Sequence, residues 1–275
     1  MPALTLRPLL LLVFLGLLGG CAALHPTAQG RPWQEEVSRV ALVQFEGDGG
    51  IVISNLRNWE WDADGAVTRR WETRRYRLED VRGLWFNVEP FDANDCFAHT
   101  SLTFELAGDA FLSVSVEARK REGEVYSPLR GAFGAFPLIF VWSSERDMLT
   151  NAAVTLGREV QSYPVNATPE QARAILEGFL DRTNQLAFRP ELYNTLRRNC
   201  TTELAAVVNR VFDQPIPRDA SFFLTGRSPQ TLHRLGFLGD PGTPFATLQA
   251  EARRDEAIRR HATLPERQFS RAIRR

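Results

Sequence analysis

Lysine is almost missing from this chain: Lys120 is the only one among 33 basic residues, and 33 acidic residues balance them. The arginines are scattered rather than gathered into a stripe, so nothing points to a polyanion-binding face and nucleic acid is not an expected partner. Cysteine is scarce too, with three residues and no CxxC pair. The four histidines, His25, His99, His233 and His261, lack metal-ligand spacing. HExxH, calcium-loop, G-x-S-x-G and glycine-rich phosphate-loop patterns are also absent. Neither a metal nor another cofactor is expected. No run after residue 20 is apolar enough to cross a bilayer, which takes about 20 residues, and no internal repeat is visible.

The N-terminus carries the first positive signal. "MPALTLRP" supplies one charge at Arg7, and "LLLLVFLGLLGG" is a short apolar run ending at Cys21. Leu18, Gly19 and Gly20 ahead of a cysteine resemble a bacterial lipoprotein signal, in which the cysteine takes a diacylglycerol group and becomes the mature N-terminus. Residues 1–20 are therefore expected to be a signal peptide, Cys21 the lipidation site and 21–32 a flexible tether. Residues 33–275 are expected to form a single domain. Ala22 rather than aspartate after the cysteine favours, by the same analogy, the outer membrane. The membrane is then a partner through the N-terminal lipid, on the periplasmic face of a bacterial envelope. With Cys21 assigned to lipid, Cys96 and Cys200 remain in a compartment where disulfides persist, so a Cys96–Cys200 bridge is an open alternative.

From residue 33 the pattern is strands first and helices second. "IVISN", "VTRRWETRRYRL", "GLWFNVEPF" and "FPLIFVWSS" are rich in β-branched and aromatic residues, and read as strands. "SLTFELAGDAFLSVSVEAR" reads as a hairpin turning at Ala107-Gly108-Asp109. Thr168-Pro169 opens a helix with Ala172, Ile175, Leu176 and Phe179 on one face, and a second helix is expected from Asn199 through Phe212. The remainder reads as short helices and turns ending in an arginine-rich tail. The predicted fold is α+β, an antiparallel sheet packed with helices.

The hairpin carries chemistry. With the turn centred on Gly108, paired positions sum to 216, so His99 lies opposite Glu117. Alternation then gives an apolar face with Leu102, Phe104, Leu112 and Val114. The other face is polar, with His99, Ser101, Thr103 and Glu105 against Ser113, Ser115, Glu117 and Arg119. A carboxylate accepting from a ring N–H fixes the tautomer and raises the basicity of the other nitrogen. Cys200, at a predicted helix start, reads equally as a nucleophile favoured by the helix dipole, half of a disulfide, or an inert capping residue. Asn199, Thr201 and Arg119 are weaker candidates for substrate contact or support. Glu145, Arg146 and Asp147 read first as paired structural charges, and the six tryptophans, Trp59 and Trp61 among them, as core.

"AHTSLTFEL", "LSVSVEARKREGEVYSPLRGAF", "SERDML", "YNTLRRNCTTEL" and "FLTGRSPQTLHRLGFL" resemble, in this order, the bacterial envelope family once called DUF4105. That family is now named for the N-terminal periplasmic domain of the lipoprotein N-acyltransferase Lnb. The resemblance implies a circularly permuted NlpC/P60, papain-like arrangement, with histidine ahead of cysteine. It implies Cys200 as nucleophile, His99 as its base and Glu117 as the orienting group. The implied function is a membrane-tethered thiol acyltransferase or hydrolase acting on ester or amide carbonyls of lipid or lipoprotein acyl groups. The Lnb-type enzymes continue into a membrane-embedded region that this sequence does not match, which implies a possible membrane-protein partner. Two alternatives stand beside this reading: a peptidoglycan amidase or peptidase, and a non-catalytic outer-membrane lipoprotein with Cys96 and Cys200 bridged.

Overall fold

Long alternating segments pair into one large sheet, described here by a computed structural model covering residues 30–91 and 96–275. The expected signal peptide, Cys21, His25 and most of the tether lie outside the described residues. The strands are β1 (Leu42–Phe45), β2 (Gly50–Arg57), β3 (Glu60–Asp62), β4 (Gly65–Thr68), β5 (Trp71–Arg77), β6 (Val81–Pro90), β7 (Ala98–Leu106), β8 (Ala110–Ala118), β9 (Leu138–Ser144) and β10 (Gln161–Pro164). Eight of them form a sheet in the order β1-β2-β9-β8-β7-β6-β10, with β5 paired to β2. β3 and β4 make a separate small hairpin, so "VTRRWETRRYRL" is two strands rather than one.

The fold is α+β as expected, but the sheet is mixed rather than wholly antiparallel. β2 meets β9 in parallel at Arg57↔Ser143. The reason lies just past β9, where helix α2 (Glu145–Thr150; α1 is Pro128–Ala132) carries Asp147. Asp147 grips Arg57 at the end of β2, which draws the two strand ends together pointing the same way.

The central β7–β8 hairpin has the register expected from its turn: Leu106↔Ala110 closes the loop and Ser101↔Ser115 is paired further along. Gly108 and Asp109 take left-handed φ of 70° and 56°, the conformation that such a tight three-residue loop needs. One face of the hairpin packs on α3 (Pro169–Phe188) and α4 (Cys200–Val208), burying Leu102, Phe104 and Val114 with Ile175, Leu176, Phe179 and Leu204. α3 starts where expected, with Thr168 and Gln171 in a reciprocal capping box and proline in the first turn. α4 is shorter than expected, ending at Val208, because the chain continues into turns toward Phe212.

The polar face is also covered. Thr103 Oγ1 and Ser113 Oγ lie 2.7 Å apart, and Asn87 Nδ2 donates to Thr103 at 2.9 Å. These groups are buried beneath a second apolar cluster, Met148, Leu149, Ile258, Phe269 and Ile273. That cluster joins α2 to α7 (Asp255–His261) and α8 (Glu266–Ala272); α5 is Ser228–Arg234 and α6 Phe245–Ala252. The arginine-rich tail is thus folded against the sheet, with Arg274 paired to buried Glu145 at 2.5 Å. Among the described residues, no helix is long and apolar enough to cross a membrane.

The contact between α3 and α4 is tight at Gly178, where an added Cβ would lie 2.7 Å from Val207 Cγ1. Gly178→Ala gains about 0.5–1 kcal/mol of helix propensity, but overpacking costs about 1–3 kcal/mol. The expected result is a net loss of about 1 kcal/mol in urea unfolding, restored by adding Val207→Ala. A more stable single variant would show that α4 shifts freely.

Candidate active site

Cys200 is the first residue of α4, and it is buried against β7. Asn199 caps the helix: its Oδ1 accepts from Thr202 N–H at 2.9 Å, while Thr202 Oγ1 accepts from Asn199 N–H at 2.7 Å. The Asn199 amide also donates to the carbonyls of Thr195 and Phe222, both at 2.8 Å. Every polar atom of that side chain is therefore spent on holding the loop before the cysteine. Asn199 is a positioning cap rather than a group turned toward substrate. The amides of Cys200 and Thr201 are the first two of the helix and have no carbonyl one turn earlier within it, which leaves donors beside the sulfur.

His99 comes from the start of β7, on the polar face, and its Nε2 lies 2.7 Å from Ser115 Oγ and 3.2 Å from Glu117 Oε1. Ser115 donates its single hydroxyl proton to Glu117 Oε1 at 2.5 Å. The serine oxygen must then accept from Nε2–H, which fixes the tautomer and leaves Nδ1 for the sulfur. The ring and the Cys200 thiol lie close enough for each to shift the other's pKa. The row runs Cys200, His99, Ser115, Glu117.

Electrostatics follow from this row. Burial opposes the imidazolium, yet the Glu117 charge and the hydrogen bonds to Cys200 and Glu117 hold the His99 pKa well above its ordinary value. Burial also opposes the thiolate, but the His99 hydrogen bond and charge, helped by Thr100, bring the Cys200 pKa below that of an ordinary thiol. Burial would raise Glu117; the His99 charge and hydrogen bonds from His99 and Ser115 instead take it down to about 2. The Glu117 side chain is 34% exposed against 15% for His99, so solvent screens part of this coupling.

Several neighbours were not singled out by sequence. Ser115 sits on the expected polar face, two residues before Glu117. Its bridging position follows from the hairpin register, which places it on the same face as His99 and Glu117. Glu89 pairs with His99 across β6–β7 and is buried, and Arg158 holds it at 3.1 Å. Burial and the nearby Glu117 charge raise the Glu89 pKa, while His99 and Arg158 pull it down. Tyr193 has its pKa pushed up by burial and by the Cys200 and Tyr126 groups beside it.

Of the weaker candidates, Thr201 reaches Thr100, with hydroxyl oxygens 3.3 Å apart. Arg119 is turned to the N-terminal segment, donating to the Val37 and Ser38 carbonyls at 2.9 and 2.6 Å and stacking on Trp33 at 4.3 Å. Arg146 and Asp147 pair with Glu60 and Arg57. Cys200 is a free thiol, so the Cys96–Cys200 bridge is not formed; the Cys96 sulfur lies 3.9 Å from an Arg227 nitrogen instead. An apolar cavity opens beside Thr201, lined by Phe86, Leu102, Leu204, Val208 and Phe237 among others.

No curated protein and no solved structure matches the chain. The family model of the Lnb N-terminal periplasmic domain matches residues 67–232, a span that contains His99, Ser115, Glu117 and Cys200. With more than half of its length matched, the chain belongs to the Lnb N-terminal periplasmic domain family.

Proposed function

We propose that this periplasmic-family protein is a thiol enzyme that transfers or hydrolyses acyl groups of lipids or lipoproteins, held to the membrane through Cys21. The observation that carries the reading is His99, hydrogen-bonded to Ser115 and paired with Glu117, placed where it lowers the pKa of the Cys200 thiol at the start of α4. His99 Nδ1 takes the thiol proton, giving thiolate and imidazolium. The thiolate adds to an ester or amide carbonyl, and the amides at the start of α4 receive the oxyanion. Collapse expels the alcohol or amine, which leaves with the proton from His99, and an acyl-thioester forms on Cys200. Water or an amine then attacks, giving its proton to His99 as the sulfur departs. The apolar cavity beside Thr201 favours a hydrocarbon acyl chain over a peptide.

Alkylation tests the row. Iodoacetamide is expected to modify Cys200 of the wild-type protein near neutral pH, where an ordinary thiol is mostly protonated. His99→Ala is expected to slow this about tenfold or more, as the thiol returns toward its ordinary pKa. Intact-mass analysis after exposure to a phospholipid donor should show a hydroxylamine-sensitive adduct on Cys200. Alkylation at Cys96 alone, with no adduct on Cys200, would overturn the assignment.

A further inference from the structure

Two loops beside the thiol carry apolar side chains with nothing to cover them. Residues 124–137 surround α1, and residues 188–198 run from the last residue of α3 into the Asn199 cap. They are joined to each other: Asn194 Nδ2 donates to the Ala132 carbonyl at 2.7 Å, Thr195 Oγ1 to the Pro128 carbonyl at 2.8 Å, and Tyr193 N–H to the Phe136 carbonyl at 2.8 Å. On the outer side of this joined pair stand Val125, Leu129, Phe133, Phe188, Leu192 and Leu196, each between 53 and 80% exposed. Scattered single apolar residues need no explanation, but six on two adjoining loops form a patch of the kind that marks an interaction site.

We propose that these loops are an interfacial membrane anchor that seats the Cys200 site on a bilayer surface. The proposal rests on the reading of Cys21 as a lipid-bearing tether. Two observations choose a lipid surface as the occupant. The first is where the described chain begins. Arg31 and Pro32 are hydrogen-bonded to Arg121 and Glu122, and Gln34 Nε2 donates to the Glu124 carbonyl at 2.8 Å, immediately before Val125. Eight residues lie between Cys21 and Gly30, nine steps of chain with a reach of at most about 30 Å. A bilayer holding Cys21 therefore lies within reach of this edge of the molecule.

The second observation is charge. Arg189 and Arg197, beside Phe188 and Leu196, are exposed and enter no ion pair among the described residues. Arg198 next to them is ion-paired to Glu191 at 3.2 Å, so Arg189 and Arg197 are the cations this rim offers to a headgroup. Guanidinium groups at the rim of an apolar patch suit phosphate headgroups, with their stems lying along the acyl boundary. Lipid anchorage plus a shallow apolar insertion supplies the two signals that stable attachment takes. The consequence for function is direct: Thr195 and Tyr193 belong to the inserted loop and also border Asn199 and Cys200, so docking brings the thiol to the depth of ester groups.

The test uses the full processed chain reconstituted into phosphatidylethanolamine–phosphatidylglycerol vesicles. A polarity-sensitive fluorophore is placed at Phe133→Cys or, outside both loops, at Val67→Cys on β4, each in a Cys96→Ser, Cys200→Ala background that makes the result independent of catalysis. The Phe133 label should shift to the blue and be quenched about twofold by nitroxide lipid, as for a ring roughly 5–10 Å below the headgroups. The Val67 label should stay in water. A protein that floats with vesicles while the Phe133 label stays water-like overturns the anchor and leaves the tether standing. A chain that does not float overturns both. A blue-shifted label that lipid nitroxide cannot quench means a protein segment covers the loops, and the proposal fails.

Discussion

Cys200→Ala is expected to abolish acyl transfer, by about 10⁴-fold or more, without changing the fold. The magnitude follows from losing the group proposed to hold the acyl intermediate. The fold should survive because the lost sulfur is one small buried atom beside Thr100, while the helix start is fixed by Asn199 and Thr202. His99→Ala should cost nearly as much, and the double variant no more than the worse single one, since the two act as a unit. Glu117→Gln is milder, about 10–100-fold, because it touches the reaction only through His99. Its pH profile is the more informative readout. On the proposed mechanism the wild-type rate should be limited at low pH by protonation of the thiolate, at a pKa below the ordinary thiol value. At high pH it is limited by loss of the imidazolium proton, at a pKa above the ordinary imidazole value. Removing the Glu117 charge lowers the His99 pKa and thereby weakens its hold on the thiolate, so both limbs move inward and the bell narrows. Deacylation of phospholipid vesicles measured across pH checks this. Retained turnover in Cys200→Ala would falsify the mechanism, and an unshifted profile in Glu117→Gln would remove Glu117 from the row.

The parts of this site legible in the sequence are those set by local rules. A three-residue loop with Gly108 and Asp109 in left-handed conformation leaves one register for the hairpin, and that register puts His99 and Glu117 on one face. The start of α4 was legible because asparagine and threonine at this spacing satisfy the orphan amides of a first turn. What was not legible depends on contacts between distant segments. Glu89 meets His99 only through the β6–β7 pairing, whose connection gives no turn signature comparable with Gly108. The parallel contact of β2 with β9 has no periodicity of its own, since it is made by Arg57 reaching into the helix after β9. The arginine-rich tail gives no sign of a core of its own in the sequence, because Ile258, Phe269 and Ile273 are few and widely spaced. Cys96 and Cys200 looked like a natural pair by elimination. The side chain facing the Cys96 sulfur is Arg227, which no count of cysteines could have indicated.

Asp147→Ala is expected to be the most destabilising single substitution away from the thiol, at about 3–5 kcal/mol. Asp147 is fully buried, and its two oxygens accept from Arg57 Nε at 3.0 and 3.1 Å, from Trp59 N–H at 2.7 Å and from Trp61 Nε1 at 3.0 Å. Burial disfavours the Arg57 charge, and Asp147 overcomes that penalty by proximity and hydrogen bonding. Truncation leaves a guanidinium buried beside the Trp59 and Trp61 rings without its carboxylate, and orphans a buried backbone N–H. A domain of ordinary stability, about 5–15 kcal/mol, loses a large fraction of it. Asp147→Asn should cost less, because an amide oxygen still accepts from Trp59. Replacing the pair together, Arg57→Met with Asp147→Leu, should cost least of the three, because no charge is then left unpaired. Urea unfolding of the three variants decides the ordering. A loss below about 1 kcal/mol for Asp147→Ala would mean that water reaches Arg57, a result incompatible with the burial described. The expected loss is not confined to stability: Arg57 also feels the Glu117 charge, and the clasp fixes where β2 meets β9, the strand paired to the Glu117 strand. Variants that loosen it should therefore slow alkylation of Cys200 before they unfold the chain.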